Sequence, residues 1–279
     1  MVEDVEFESL HSSSVPSDDR SFLYGDGLFE TLLCVNGKIP WPELHKERLA
    51  KGAQVLRFPI DVDELFLRLE REASSLVGPH SLRVSVSRGS GPRGYAGPQV
   101  IRLRVRLMVS PLHEDPMKPR SSLHLSPEVF VMAKQPVFAG IKHCNRLEQV
   151  MAARTAREGG YDDMLMGVEE SFVTCTSAAN VFVLSQGKLR TPAVTNAGIA
   201  GTKRALILKV LGLECGFTVE EGRVRIEDLF AGSSAFVSNS LQGIRVIERI
   251  GDKELPTSPE LLKLQERYFQ ALGSACSAA

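Results

Sequence analysis

The sequence lacks the marks of several protein classes. Its 279 residues include five cysteines, an odd number, and no two of them form a Cys-x-x-Cys pair. This pattern argues against a disulfide framework and against a zinc site. The formal net charge of -1 gives no electrostatic basis for binding nucleic acid or an anionic membrane. We therefore expect a reducing cytoplasm and, by elimination, small-molecule chemistry.

Long apolar runs are also missing. No window approaches the roughly 18 consecutive apolar residues of a membrane span, and the first eight residues are acidic where a signal peptide is basic. We expect a protein that is neither exported nor anchored. A chain of this length exceeds the usual size of one domain, which favours two domains with separate cores.

The pattern of apolar residues predicts a mixed α+β fold without regular βαβ alternation. Apolar residues at helical spacing predict helices over Trp41–Phe58, Asp61–Val77, Asn145–Glu158, Thr202–Leu211 with Gly212 as its end, and Pro259–Leu272. Alternating or apolar runs predict strands over Val5–Leu10, Leu82–Ser87, Val100–Val109, Leu123–Met132, Asp163–Gly167, Ser171–Thr174, Val181–Leu184, Phe217–Val224, Ala235–Ser238 and Ile244–Ile250. The charged, proline-bearing run His113–Ser122 is the best linker candidate.

Two glycine-rich segments precede the middle of the chain. Tyr24-Gly25-Asp26-Gly27 runs into a β-prone stretch and predicts a tight turn followed by a strand. Between two predicted strands, the segment from Arg88 to Pro98 holds four glycines and the arginines Arg88 and Arg93. Glycines permit close backbone approach to a ligand, and guanidinium groups match carboxylates. A flexible hairpin tip explains this segment equally well.

The stretch from Gly140 to Arg204 holds the groups that suggest chemistry. Lys142 precedes an amphipathic helix, a turn of small residues leads into a strand, and Gly201 opens a second helix. A lysine amine is a nucleophile for an aldehyde, and the N-terminus of a helix is favourable for a phosphate. This combination suits an aldehyde cofactor that carries a phosphate.

Several motifs together resemble one enzyme family. They are Tyr24-Gly-Asp-Gly-Leu-Phe-Glu, His45-x-x-Arg48, Ile141-Lys-His-x-Asn-Arg-Leu-Glu-Gln-Val, Val173-Thr-x-x-x-Ala-Ala-Asn-Val-Phe, Thr191-Pro and Gly201-x-x-Arg204. They look like the class IV, fold type IV, pyridoxal-phosphate enzymes, which include branched-chain and D-amino-acid aminotransferases and aminodeoxychorismate lyase. The resemblance runs from about Tyr24 to Arg245, and the segments around Lys142 and Arg88 are most similar to the lyase branch.

The resemblance implies a role for each matching residue. Lys142 is expected to bond the aldehyde of pyridoxal 5'-phosphate and to move the substrate proton. The expected cofactor-binding residues are Arg48, Lys142, Cys175, Asn180, Gly201, Thr202, Lys203 and Ser240, with the backbone N–H groups of Thr202 and Lys203 on the phosphate. The expected substrate-binding residues are Tyr24, Arg88, Arg93 and Arg146. Arg48 and Arg146 are also compatible with plain helix-surface arginines, and Ser240 with a plain turn serine.

Cys175 departs from the family pattern. Similar enzymes carry a glutamate here, whose carboxylate keeps the pyridine nitrogen of the cofactor protonated. A thiol with an ordinary pKa of about 8.5 is mostly neutral and bonds only weakly. Glu169 and Glu170 precede this position, and neither is expected to replace the missing carboxylate.

Three functions follow from these expectations. The first is an aminodeoxychorismate lyase that releases 4-aminobenzoate and pyruvate, and the second is a class IV aminotransferase. The third is a poorly active or non-catalytic binding protein, for which Cys175 is the argument. The resemblance further implies an N-terminal domain over residues 1–116, a C-terminal domain over 120–279, the cofactor in the cleft between them, and a homodimer.

Overall fold

Two units divide the chain, and each of them is built from two separate segments. The computed structural model describes residues 6–7 and 14–277. The first unit contains the chain up to Asp115 together with Ile141–Asn145, and the second contains Pro116–Gly140 and Arg146–Ala279. The chain passes from the first unit to the second after Asp115, and the segment that carries Lys142 belongs to the first unit.

The first unit combines an antiparallel sheet with helices. Its elements are β1 (Glu6–Phe7), α1 (Arg20–Tyr24), β2 (Gly27–Val35), α2 (Pro42–Leu56), α3 (Val62–Ser74), β3 (Pro79–Ser87) and β4 (Arg104–Pro111). The strand order is β1-β4-β3-β2, with β1 parallel to β4 and the other pairs antiparallel. Apolar residues of the sheet, α2 and α3 form one core that also takes in Ile141. The core thereby fixes the start of the Lys142 segment.

Local sequence accounts for the helix starts in this unit. Asp61 caps α3 by accepting the N–H of Glu64 at 2.9 Å, and Pro42 occupies the first turn of α2. The two predicted helices over these residues are confirmed. The five-residue helix α1 was not predicted, although Asp19 caps it by accepting the N–H groups of Ser21 and Phe22.

Two strand predictions for this unit need comment. The strand expected over Val100–Val109 begins only at Arg104, because its partner β3 ends at Ser87, which pairs with Arg104. Residues 100–103 therefore have no partner strand. Of the strand expected over Val5–Leu10, only Glu6–Phe7 lies within the described residues, and it pairs with β4.

The second unit is built around a large mixed sheet. The strands of the unit are β5 (Leu123–Val131), β6 (Asp163–Gly167), β7 (Phe172–Val173), β8 (Cys175–Thr176), β9 (Asn180–Ser185), β10 (Lys188–Pro192), β11 (Thr218–Gly222), β12 (Val224–Arg225), β13 (Ser234–Asn239), β14 (Gly243–Ile250) and β15 (Lys253–Glu254). Strands β7 and β12 pair with each other in a separate two-stranded sheet, and the others belong to the large one. The main order is β11-β10-β9-β13-β14-β5-β6-β8. Because β8 also pairs with β9, the six strands from β9 to β8 close on themselves like a barrel. The predicted α+β class is confirmed.

The helices of this unit lie where the sequence predicts them, with one correction and one omission. They are α4 (Leu147–Glu158), α5 (Thr202–Leu206, continued by a π-turn over Ile207–Leu211 and a last turn over Gly212–Glu214), α6 (Ile226–Ala231) and α7 (Pro259–Ser277). Gly212 does not end α5, as predicted, but lies inside it. A Cβ atom at Gly212 would lie 2.9 Å from the carbonyl oxygen of Ile207, so its absence allows the π-turn. The short helix α6 was not predicted.

All five cysteines are free thiols. Within the part of the chain that the structure describes, no helix has both the length and the apolar character needed to cross a membrane.

Candidate active site

The segment that carries Lys142 is held as an extra strand beside β2. The backbone N–H of Phe29 donates to the carbonyl oxygen of Lys142 at 2.9 Å, and the N–H of Cys144 donates to the carbonyl oxygen of Gly27 at 2.9 Å. The Nζ atom of Lys142 lies 4.3 Å from the centroid of the Phe29 ring. A buried strand and an aromatic ring thus fix the backbone and the amine of the predicted nucleophile.

The glycines before β2 make room for this segment. Gly25 has a φ of 67°, which favours glycine. A Cβ atom there would lie 2.0 Å from Oδ1 of Asn145, while Nδ2 of Asn145 donates to the carbonyl oxygen of Gly25 at 3.2 Å. The two motifs Tyr24-Gly-Asp-Gly and Lys142-His-Cys-Asn are therefore in contact, which explains why both occur in one chain.

Arg48 belongs to a buried polar triad. Glu30 is fully buried on β2, and its carboxylate accepts from Nε of Arg48 at 2.8 Å and from Nη2 at 2.5 Å. Nδ1 of His45 lies 2.7 Å from the same carboxylate. Burial alone would raise the pKa of Glu30, but the charge and hydrogen bonds of Arg48 and His45 hold the pKa at about 2. Arg48 is thus an oriented, buried cation and not a solvated surface residue.

The arginines of the glycine-rich loop differ in their surroundings. Nε of Arg88 donates to Oδ2 of Asp26 at 2.7 Å, and its Nη2 donates to the carbonyl oxygen of Leu56 at 2.7 Å. These contacts engage Arg88 within the first unit. Arg93 is exposed and makes no ion pair or hydrogen bond with the described residues. Of the two, Arg93 is the one whose guanidinium remains available for a ligand.

In the second unit, Asn180 shapes the turn before α5. Its Nδ2 donates to the carbonyl oxygen of Ile199 at 2.8 Å. A Cβ atom at Gly201 would lie 2.0 Å from Oδ1 of Asn180. Only glycine therefore permits the observed approach of the turn to β9, and this turn delivers the chain to the first residue of α5.

The start of α5 is buried. Gly201 is the N-cap residue, and Thr202, Lys203 and Arg204 are each at most 5% exposed. Arg204 donates to the carbonyl oxygen of Pro192 at 2.9 Å, which ties the Thr191-Pro192 motif to the helix. The N–H groups of the first helical turn carry partial positive charge and favour an anion.

Strand β13, which precedes the turn that bears Ser240, contacts α5. Ser238 pairs with Asn180 across the antiparallel strands β13 and β9, so the two side chains lie on the same face of the sheet. The Ser238 hydroxyl is buried and has no hydrogen-bond partner among the described residues. Oδ1 of Asn239 accepts the N–H groups of Leu241 and Gln242, which fixes the turn that bears Ser240.

Cys175 is a buried and neutral thiol. It lies on β8 and is 6% exposed. Burial raises the pKa of Cys175 to about 12, the negative charges of Asp163 and Glu148 add to this rise, and the charge of Arg146 opposes it. The thiol stays protonated at neutral pH. It therefore supplies no negative charge at the position where similar enzymes carry a glutamate.

The neighbouring glutamate does not replace that charge. Glu169 is partly exposed and forms ion pairs with Lys134 at 3.1 Å and with Arg223 at 3.0 Å.

Arg146 is the N-cap residue of α4. Against the rise that burial causes, the positive charge of Arg146 lowers the pKa of Cys175 and so acts on the thiol.

Sequence reasoning missed several residues that shape the site. Glu30 and His45 lie inside the quoted motifs but were given no role, and Ser238 and Asn239 lie beside the predicted Ser240. The signal for Glu30 was present, because a carboxylate within an apolar strand requires a buried cation as its partner.

Comparisons with known proteins identify relatives along most of the chain. Residues 27–250 match the family described as amino-transferase class IV. The chain is 29% identical to the aminodeoxychorismate lyase of Vibrio harveyi over 263 residues, covering 92% of this chain and 95% of that protein. It is 24% identical to a D-alanine aminotransferase of Listeria monocytogenes over 271 residues, covering 95% and 93%. The crystal structure of 4-amino-4-deoxychorismate lyase from Pseudomonas aeruginosa superposes with a TM-score of 0.85 at 30% identity, covering 92% of this chain and 94% of that one.

Proposed function

The chain belongs to the class IV aminotransferase family, and on that premise we propose that it is a 4-amino-4-deoxychorismate lyase that produces 4-aminobenzoate and pyruvate. The observation that carries this proposal is the similarity to two such lyases over more than nine tenths of each chain. The D-alanine aminotransferase relative is less similar, at 24% identity.

The residues present fit pyridoxal 5'-phosphate, on which enzymes of this family depend. Gly201 packs closely against Asn180 and has no Cβ atom, so no side chain at this position obstructs access of a phosphate to the N-terminus of α5. The buried Ser238 hydroxyl faces the same side as Asn180 and offers a donor. We assign the phosphate to the N–H groups of Thr202 and Lys203, with Arg48, Ser240 and Ser238 as further donors.

The bound cofactor supplies electron withdrawal from the carbon that carries the substrate amine. Lys142 is assigned two tasks: its Nζ would hold the cofactor through the aldehyde, and the same amine would take the proton from the carbon that carries the substrate amine. Loss of this proton would let the neighbouring ring carbon–oxygen bond to the enolpyruvyl side chain break, so that the ring becomes aromatic. The released enolpyruvate would take up one proton and become pyruvate, and the two products together contain all the atoms of the substrate. The strand pairing of Lys142 with Phe29 keeps the amine in one place for both tasks.

The neutral thiol of Cys175 favours the lyase over an aminotransferase. Without a carboxylate at this position, charge that develops at the reacting carbon is stabilised less. Formation of an aromatic ring provides driving force that transamination lacks. A lyase therefore tolerates Cys175 better than an aminotransferase does.

Arg93, Arg146 and Tyr24 are proposed to contact the substrate, because guanidinium and phenol groups donate to carboxylates. Among the four expected substrate-binding residues, Arg88 is the weakest candidate, because its guanidinium already donates to Asp26 and to the carbonyl oxygen of Leu56. We further propose a homodimer in a reducing cytoplasm. The free state of all five cysteines and the frequency of two-fold dimers support this proposal.

An assay without any 2-oxo acid acceptor tests the function. Purified protein with pyridoxal 5'-phosphate is mixed with 4-amino-4-deoxychorismate, and both 4-aminobenzoate and pyruvate are measured. The proposal predicts equal amounts of the two products and no stimulation by added 2-oxo acid. The absence of both products would contradict the lyase function, and conversion of a D-amino acid or a branched-chain amino acid that strictly requires a 2-oxo acid acceptor would identify an aminotransferase.

A further inference from the structure

The side chain of Arg20 is buried at the centre of the glycine-rich loop. Its Nε donates to Oδ2 of Asp26 at 3.0 Å, its Nη1 to the carbonyl oxygen of Gly94 at 2.9 Å, and its Nη2 to the carbonyl oxygen of Tyr95 at 3.0 Å. The side chain is only 3% exposed. All three nitrogen atoms of one guanidinium are therefore used, two of them on adjacent carbonyl groups of the loop tip.

The glycines of the loop allow the chain to wrap closely around this side chain. A Cβ atom at Gly91 would lie 3.2 Å from Cδ of Arg20, and one at Gly97 would lie 3.7 Å from its Cζ. Gly94 and Gly97 also have positive φ angles, of 103° and 81°. The glycines thus fit the loop around Arg20, which a purely flexible tip would not require.

Aromatic contacts extend the same arrangement. The guanidinium of Arg20 lies 4.8 Å from the ring centroid of Tyr24, and the rings of Tyr24 and Tyr95 meet edge to face at 5.5 Å. The N–H of Gly94 donates to the hydroxyl oxygen of Tyr24 at 3.4 Å. Arg20 and Tyr24 therefore hold the loop tip from the same short helix.

The base of this arrangement is itself fixed. Asp19, the buried cap of α1, accepts from Ser87 Oγ at 2.8 Å and from Arg104 Nη1 at 2.7 Å. The backbone N–H of Arg20 donates to the carbonyl oxygen of Gly89 at 2.9 Å. The guanidinium thus projects from a rigid anchor on β3 and β4 towards the loop tip.

Arg93 directly precedes Gly94 in the loop, is exposed, and makes no polar contact with the described residues. We propose that Arg20 is a positioning residue that holds the loop over residues 89–98 in one conformation, so that Arg93 and Tyr95 are presented to the substrate carboxylates without a cost of ordering the loop. This inference rests on the proposed function for the identity of the substrate. Its structural part concerns the loop alone.

The test uses Arg20→Gln in the complete protein. The variant removes both carbonyl contacts, while Asp26 keeps its ion pair with Arg88 at 2.7 Å and so retains a cationic partner. We expect trypsin to cut the native variant after Arg93 at least about tenfold faster than wild type, since a loss of about 1.4 kcal/mol of loop ordering gives a factor of ten. Hydrogen exchange in a peptide over 89–98 is expected to rise, while exchange in β2 and β3 stays unchanged.

The kinetic readout separates positioning from general damage. With the lyase substrate, KM is expected to rise about tenfold or more in Arg20→Gln with a smaller change in kcat, because Lys142 is untouched. Arg20→Lys should fall between the two proteins, since one ammonium group cannot span both carbonyls and Asp26. Arg154→Gln, which removes an exposed pair with Glu158 on the surface of α4, is the matched control and should behave as wild type.

Two structural results would overturn the inference. One is a loop that is cut and exchanges as in wild type in a folded Arg20→Gln or Arg20→Lys variant. The other is increased exchange throughout β2 and β3, which would make Arg20 a general scaffold residue. Loosening of the loop without a change in KM would remove its role in substrate binding. If the wild-type protein lacked lyase activity, the proposed function would be wrong. The proteolysis and hydrogen-exchange results would still test whether Arg20 orders the loop over residues 89–98.

Discussion

Replacing Glu30 by glutamine tests the buried triad that orients Arg48. The carboxylate is fully buried and makes two hydrogen bonds with the Arg48 guanidinium. An amide keeps the shape but leaves a buried cation without its counter-charge, which costs about 3–5 kcal/mol. Glu64→Gln, on an exposed pair with Arg68, is the control and should cost less than about 1 kcal/mol.

The pKa of Glu30 adds a dependence on pH. It falls from its ordinary value of 4.5 to about 2 in the folded protein. At about 1.4 kcal/mol for each pH unit, this difference corresponds to about 3 kcal/mol of stability. Because the folded pKa is the lower one, this stability is present above pH 4.5 and is lost as the pH falls towards 2. About 2 kcal/mol of it should be gone at pH 3.

The single tryptophan makes the measurement specific to the first unit. Trp41 is the N-cap residue of α2, the helix that carries His45 and Arg48. Urea unfolding of the cofactor-free protein is followed by Trp41 fluorescence at pH 7 and at pH 3. The free-energy gap between wild type and Glu30→Gln should shrink by about 2 kcal/mol at the lower pH. A gap below 1 kcal/mol at pH 7, or an equal gap at both pH values, would refute the reasoning about the triad.

Three further substitutions test other parts of the site. Cys175→Ser exchanges one neutral group for another and should change kcat of the lyase assay by less than about threefold, whereas a loss of about tenfold, or 1.4 kcal/mol, would show that the thiol has a role beyond neutrality. Gly25→Ala forces a side chain against Asn145 and should lower the stability of the first unit by about 1–3 kcal/mol, as urea unfolding would show, with an unchanged midpoint as the contrary result. Asn180→Ala should weaken binding of pyridoxal 5'-phosphate about tenfold, which is the net worth of about one hydrogen bond. Binding of pyridoxal without the phosphate should change little in this variant, and an equal loss for both ligands would contradict a role at the phosphate.

The sequence predicted best what depends on local pattern. The long helices over Trp41–Phe58 and Pro259–Leu272 have apolar residues at helical spacing and were found within a few residues of the predicted bounds. The α+β class also followed from the pattern of apolar residues, and the family followed from the motifs. The short helix α1 was missed because five residues do not show a helical period, although its cap Asp19 was visible.

What the sequence left open depends on contacts between distant residues. The pairing of the Lys142 segment with β2 joins residues more than 100 positions apart, and no local pattern announces it. The triad of Glu30, His45 and Arg48 likewise joins a strand to a helix. Gly212 was predicted to end α5 because glycine commonly ends helices, but here the lack of a side chain serves a π-turn. Glycine can therefore either end a helix or permit a close contact inside one, and only the tertiary packing decides between the two.

Direct identification of the lysine that bonds the cofactor tests the central claim. The protein loaded with pyridoxal 5'-phosphate is reduced with borohydride, which makes the bond to the lysine permanent, and its peptides are mapped by mass spectrometry. Our account predicts the added mass of the cofactor on the peptide that contains Lys142, and no such peptide from Lys142→Ala. A label on another lysine, such as the buried Lys203, or no label in the wild-type protein, would contradict it.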